Sequence, residues 1–225
     1  LKYDIRTRQT IETINHLMDN GIQNMGVLLR HSDRFFSEKA SLEHFMGLTE
    51  IGKTLAFEFG TKIRPTLIPK LYSSFFGRCI ETAYLIDKGF TKKNKQVLDH
   101  NRLNYNLSPF YIKDIEMAVQ KVEKEGNNVF LRNWFNNCVD INIIEDPHKT
   151  ADLISEFMVE QINNLKKDQI AICVTHDWNI YPVKEFKMGL PHESTGDIGY
   201  LDGIIFYEKE KKYYVTNFQT EPILI

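Results

Sequence analysis

Three short clusters in this 225-residue chain bring together residue types suited to handling an anion. The first, Arg30-His31-Ser32-Asp33-Arg34, sets two guanidiniums around one imidazole. A guanidinium grips phosphate through paired N–H donors, and phosphate is the ligand its fork fits best. The second runs from Ser73 to Ala83 and puts Arg78 at the opening of a helical stretch. The positive end of the helix dipole disfavours a cation there, and a bound anion removes the objection. The third is Thr175-His176-Asp177. Each has an ordinary reading alone: a solvated charge run, a surface Arg78 paired with Glu81, a packed His176 beside a helix-capping Asp177.

Buried strands ending at one edge of a sheet would make the clusters converge, because ligands of open α/β sheets bind beyond the carboxyl ends of the strands. Met25 to Leu29, Leu71 to Ser74 and Gln169 to Val174 read as such strands, and each runs straight into a cluster. Around them the spacing predicts helices over Thr7 to Asn20, from Thr49 with Ile51, Leu55 and Phe59 on one face, from about Arg78 to Lys88, and from about Thr150 to Leu165 with Leu153, Phe157, Met158 and Ile162 inward. Gly60 with Pro65, and Gly89, are expected to end the second and third of these. Between Thr91 and Pro147 the pattern turns helical, with Ile112, Ile115, Val119 and Val122 on one helix and Val129, Phe130, Trp134 and Phe135 on another. Gly203 to Tyr207 and Tyr213 to Phe218 read as a hairpin. The expected architecture is a single α/β domain over residues 1–225: a three-layer sandwich, its mostly parallel central sheet flanked by helices, with a helical cap insertion over about 91–147.

In their order along the chain these motifs resemble those of the histidine phosphatase superfamily, which includes phosphoglycerate mutases and histidine acid phosphatases. Arg30 to Arg34 resembles its Arg-His-Gly-x-Arg signature, Leu48-Thr49-Glu50-Ile51-Gly52 its Leu-Thr-x-x-Gly helix start, and Ser73 to Ala83 its Ser-Ser-x-x-x-Arg-x-x-Glu/Gln-Thr-Ala stretch. Thr175-His176-Asp177 resembles the His-Asp element of the acid-phosphatase branch. Two departures stand out. Ser32 occupies the usual glycine position, where its hydroxyl would touch the phosphate or narrow the pocket, and no Glu-rich segment of the mutase type follows Ala83.

The resemblance implies a metal-independent phosphomonoesterase with His31 as nucleophile, and a neutral imidazole needs no general base to attack phosphorus. It further implies that Arg30, Arg34, Arg78 and His176, with Ser32, surround the phosphoryl group, and that Asp177 is the general acid, with Asp99 or another carboxylate of the insertion in reserve. One ring nitrogen of His31 must be held, by a backbone carbonyl, for the other to face phosphorus. The implied substrate is a phosphorylated small molecule, with inorganic phosphate as product and no cofactor. A phosphoglycerate-mutase-type phosphomutase and a silent phosphate-binding module are the alternatives.

Composition fits that reading. Hydrophobic residues at 42% and charged residues at 26% are ordinary globular proportions. A formal charge of -2 supplies no general attraction to nucleic acid or to an anionic membrane. The three cysteines, Cys79, Cys138 and Cys173, show no zinc-like spacing, and His44, His100, His148 and His192 are scattered. A reducing, cytoplasmic setting is expected, although an opening on Leu1 rather than Met is compatible with a processed leader. The organic part of the substrate is expected to meet the insertion and the Pro191 to Asp202 loop, with Tyr105, Phe110, Tyr111 and Trp134 as candidate pocket aromatics. The sequence leaves the oligomeric state open.

Overall fold

The computed structural model describes residues 2–96 and 101–225. Their strands are β1 (Met25–Arg30), β2 (Ile68–Ser73), β3 (Asn101–Leu103), β4 (Gln169–Thr175), β5 (Gly203–Lys209), β6 (Lys212–Asn217) and β7 (Thr220–Leu224). They form one sheet in the order β3-β2-β4-β1-β5-β6-β7. β3, β2, β4 and β1 pair in parallel, whereas β1–β5, β5–β6 and β6–β7 pair antiparallel, so the expected parallel sheet carries an antiparallel wing.

The central strands lack polar alternation because both faces are covered. Met25, Val27 and Leu29 of β1, with Ile170, Ile172 and Val174 of β4, pack against α1 (Lys2–Asp19), α2 (Glu50–Lys62) and α3 (Gly77–Asn94). Leu28, Ala171 and Cys173 point to the opposite layer, which holds α4 (Ile115–Glu125), α5 (Asn127–Phe135), α6 (Pro147–Asn163) and α7 (Asp177–Met188). Trp134 and Tyr111 stack there with ring centroids 5.2 Å apart. Both are buried, so neither lines an open pocket.

Several expected boundaries move. Gly60 and Gly89 lie inside α2 and α3 rather than ending them. A Cβ on Gly60 would stand 2.1 Å from the carbonyl oxygen of Ile86, and one on Gly89 2.0 Å from that of Phe57. The glycines therefore let two helices cross backbone to backbone. Leu153, expected to face inward, is exposed, as are Ile51 and Val129. Ile112 precedes α4 and bridges to Ile144. The stretch between α3 and α6 also supplies β3, a strand too short and exposed for a periodicity signal. Among the described residues, no helix is long and apolar enough to cross a membrane.

Candidate active site

Strand register brings the three clusters side by side. Arg30 lies opposite Thr175 across β1–β4, and Ser73 lies opposite Val174 across β2–β4. The pairing continues one residue further, with His31 N–H donating to the Thr175 carbonyl at 2.9 Å and Ser74 N–H to the Val174 carbonyl at 3.0 Å. His31, Ser74 and His176 thus leave the sheet at one edge.

His31 is buried, and its Nδ1–H donates to the Ser32 carbonyl at 2.8 Å. A carbonyl can only accept, so Nδ1 carries the proton and Nε2 presents a lone pair. Nε2 receives the Nε–H of Arg78 at 3.1 Å. Burial first, then the close approach of the His176 ring, which keeps the two imidazoles from both gaining a proton, and the positive charge of Arg78 and Arg30, holds His31 well below the ordinary imidazole range. The imidazole is therefore neutral at physiological pH.

Arg78 is buried in the first turn of α3, which has neither a side-chain cap nor an acidic residue there. Its guanidinium spans the site, donating from Nη1 to the Glu43 carbonyl at 2.8 Å and facing Nδ1 of His176 from Nη2 at 3.2 Å. Burial lowers it to about 10, so it stays cationic at neutral pH. His176 directs Nε2 to the Ser74 hydroxyl at 2.9 Å and stacks edge-on against Phe76 at 4.6 Å. Burial and the three arginines hold it neutral too.

Arg30 pairs through Nη2 with Asp177 at 2.8 Å and lies over the Tyr200 ring at 4.5 Å. Asp177 also accepts the Trp178 backbone N–H at 2.9 Å at the start of α7. Arg34 pairs with the carboxylate of Glu43 and lies over the Phe36 ring at 3.9 Å. The Nε atoms of Arg30 and Arg34 are both buried without a protein partner. Two unpaired buried donors beside a third guanidinium are the hydrogen-bonding complement of an oxyanion.

Of the residues named from the sequence, Arg30, Arg78 and His176 adjoin His31, while Asp177 joins them through Arg30 and Arg34 through Glu43, which Arg78 also contacts. Ser32 does not join them through its side chain. Its hydroxyl donates to the Gly52 carbonyl at 2.8 Å and its N–H to Thr82 Oγ1 at 3.0 Å, which ties the loop to α2 and α3. The Leu-Thr-x-x-Gly pattern has a matching physical reason: Thr49 caps α2, and a Cβ on Gly52 would stand 2.0 Å from the Asp33 carbonyl oxygen. Asp99 and His100 lie outside the described residues. Sequence reading missed Glu43, Phe76 and Tyr200. Glu43 sits in a short 3-10 helix (Ala40–Phe45), Tyr200 within the Pro191 to Asp202 loop that was expected to meet the substrate but not singled out there, and Phe76 within a quoted motif.

Away from this site, His192 proves not to be isolated. With Glu185 and Glu193 it forms a group of potential ligand atoms within 4.8 Å of one another. Arg132 already forks both carboxylates, and that pairing pulls Glu193 down to about 2.

A buried, neutral imidazole thus stands at the end of the central strand of a covered α/β sheet, with arginines beside it from the end of β1 and the start of α3. The fold is the one that the motifs led us to expect, and it is shared with solved structures of phosphatases and of a phosphoglycerate mutase. A mycobacterial glucosyl-3-phosphoglycerate phosphatase superposes with a TM-score of 0.57 at 17% identity, over 90% of this chain and 97% of its own. Its complex with inorganic phosphate gives 0.55 at 16%, over 88% and 100%. A phosphoglycerate mutase from Bacillus anthracis str. Sterne gives 0.56 at 18%, over 88% and 94%. No protein-family model and no curated protein matches the chain.

Proposed function

We propose that this protein is a phosphomonoesterase acting through a phosphohistidine at His31. The observation that carries the reading is the pinned, neutral ring of His31, whose Nε2 lone pair faces a site walled by three guanidiniums. An incoming phosphate dianion takes the N–H donors of Arg30, Arg34 and Arg78, including the two that have no protein partner. Nε2 attacks phosphorus, the P–O bond to the alcohol breaks, and Asp177, which takes up a proton from solvent when the substrate's phosphate displaces it from Arg30, gives that proton to the departing oxygen. Water then attacks the phosphohistidine and returns a proton to Asp177, and inorganic phosphate leaves. His176 orients Arg78. Preorganised positive charge around the equatorial oxygens supplies the stabilisation that a metal supplies in other phosphohydrolases, which supports a metal-independent reaction.

Hydrolysis is favoured over mutase chemistry because the chain lacks the Glu-rich segment of the mutase branch after Ala83. The substrate is a phosphorylated small molecule. The three free cysteines fit a reducing, cytoplasmic setting.

The test is phosphate release in the presence of EDTA, comparing wild type with Asp177→Asn. An alkyl phosphate needs the proton and should slow about 10²-fold or more in the variant, whereas p-nitrophenyl phosphate, whose leaving group is a stable anion, should change far less. Equal losses on both would remove Asp177 from the acid role. Activity lost in EDTA and restored by a divalent ion would contradict metal independence.

A further inference from the structure

Large aromatic side chains on segments that adjoin the site are exposed, outside the machinery already described. Phe35, Phe36, Phe45, Phe75 and Tyr105 each have 52% to 68% of their surface exposed. Single exposed apolar residues are unremarked in most proteins, but a cluster of large ones marks a binding surface.

Each ring sits on a segment tied to the catalytic cluster. Phe36 lies 3.9 Å from the Arg34 guanidinium, so a phosphate gripped by Arg34 is within one ring's reach. The carbonyl of Phe45 would be 3.1 Å from a Cβ on Gly77, the residue before Arg78. Phe75 stands between Ser74, the partner of His176, and Phe76, which packs on His176; its N–H donates to Ser108 Oγ at 3.3 Å. Tyr105 rides on a turn whose Leu107 carbonyl accepts the Thr175 hydroxyl at 2.7 Å.

The chemistry of these segments selects among phosphate esters. The face of an aromatic ring is electron-rich and disfavours an anion, so these rings do not hold the phosphate itself. A substrate with a second anionic group would need further cations. Across residues 35–45, 75–76 and 104–108, the charged side chains other than Glu43 are Glu38 and Lys39, neighbours of opposite sign.

We propose that these side chains form an aromatic subsite, and that the preferred substrates are phosphomonoesters whose organic part carries an aromatic ring stacked among Phe36, Phe45, Phe75 and Tyr105. This inference rests on the phosphomonoesterase reading above.

Its test uses 2-phenylethyl phosphate and n-propyl phosphate, whose alcohol leaving groups are alike in acidity, so that a rate difference reports binding of the ring rather than easier chemistry. The expected kcat/KM is about tenfold or more higher for the aromatic ester, chiefly through KM. Phe36→Leu and Phe45→Leu, which keep apolar bulk and lose the ring, should each shrink that ratio severalfold. A ratio within one variant is insensitive to how much of it folds. Equal kcat/KM on the two esters, or faster turnover of 3-phosphoglycerate than of the phenylethyl ester, would overturn the subsite and leave the phosphatase reading standing. A preference unchanged in both variants would overturn its assignment to these rings. If neither ester is hydrolysed, the phosphatase reading fails by itself; calorimetry then decides the subsite, tighter binding of phenylphosphonate than of methylphosphonate supporting it and equal binding overturning it.

Discussion

The Nε–H of Arg78 points at Nε2 of His31 across 3.1 Å, so the atom proposed as nucleophile is covered by the group proposed to receive the phosphate. When phosphate arrives, that N–H can pass to a phosphoryl oxygen and uncover the lone pair without either residue changing charge. Lysine keeps the charge but has no planar fork to reach His31, His176 and the Glu43 carbonyl together. Arg78→Lys should therefore lower kcat by about 10²-fold, the scale seen when one preorganised oxyanion donor is lost. Steady-state kinetics on the folded variant check this, and a loss below about threefold would remove Arg78 from the transition-state role.

Glu43 holds Arg34 through its carboxylate and also accepts the Ser37 N–H at 2.6 Å. Phosphate must compete with it for the same guanidinium. Glu43→Gln removes the competing charge, and inhibition by inorganic phosphate should tighten about fivefold, for roughly 1 kcal/mol of competition from a partly buried ion pair. Product-inhibition constants measured at fixed ionic strength decide it, and weaker inhibition would mean that Glu43 supports the phosphate site.

Stability should depend on pH in a way traceable to His31 and His176. Both are buried and held well below the ordinary imidazole range, by burial first and then by neighbouring positive charge. The unfolded chain therefore binds protons that the folded one refuses. Their contribution is fully present above an unfolded imidazole pKa of about 6.5 and is lost as pH falls from there toward the depressed folded values. Tm should be level from neutral to mildly alkaline pH and decline below that point. The decline between about pH 6.5 and 5.5 should be shallower in His31→Asn, and an identical slope would contradict the assignment. The acid limb of kcat/KM assigned to His31 should likewise lie below the ordinary imidazole value.

At the crossing of α2 and α3, the backbone-to-backbone contact predicts that even one methyl group is too much. Gly60→Ala places a Cβ where Ile86 already has its carbonyl oxygen. The expected cost is about 1–3 kcal/mol, typical of overpacking, and chemical denaturation measures it. An unchanged midpoint would show that the helices can part freely.

The same glycines show where sequence reading succeeded and where it stopped. Buried strands were legible because Met25 to Leu29 and Gln169 to Val174 are apolar on both faces, and a strand covered on both sides has no other way to read. Helix ends were less legible. Glycine marks both a helix stop and a close helix contact, and the partner that distinguishes them, here Ile86 for Gly60 and Phe57 for Gly89, is remote in sequence. β3 pairs along only three residues, too few for a period to register.

The candidate site followed the same division. Arg30, His31, Arg34, Arg78, His176 and Asp177 lie at or next to strand ends, where motif and topology coincide. Glu43 enters from a short 3-10 helix and Tyr200 from a loop, and nothing local foretells that either segment will fold back over a strand end. Ser32 shows the limit from the other direction, since its hydroxyl, free on paper to meet phosphate, is engaged by the Gly52 carbonyl.

The most direct test of the central claim is to trap the phosphorylated protein. Rapid mixing with p-nitrophenyl phosphate, quenching under alkaline denaturing conditions that spare a P–N bond, and peptide mass spectrometry should place one phosphoryl group on His31. His31→Ala should show none and turn over no substrate, while still binding vanadate through its arginines. A phosphoryl group on another residue, or substantial turnover by His31→Ala, would contradict a phosphohistidine mechanism at this site.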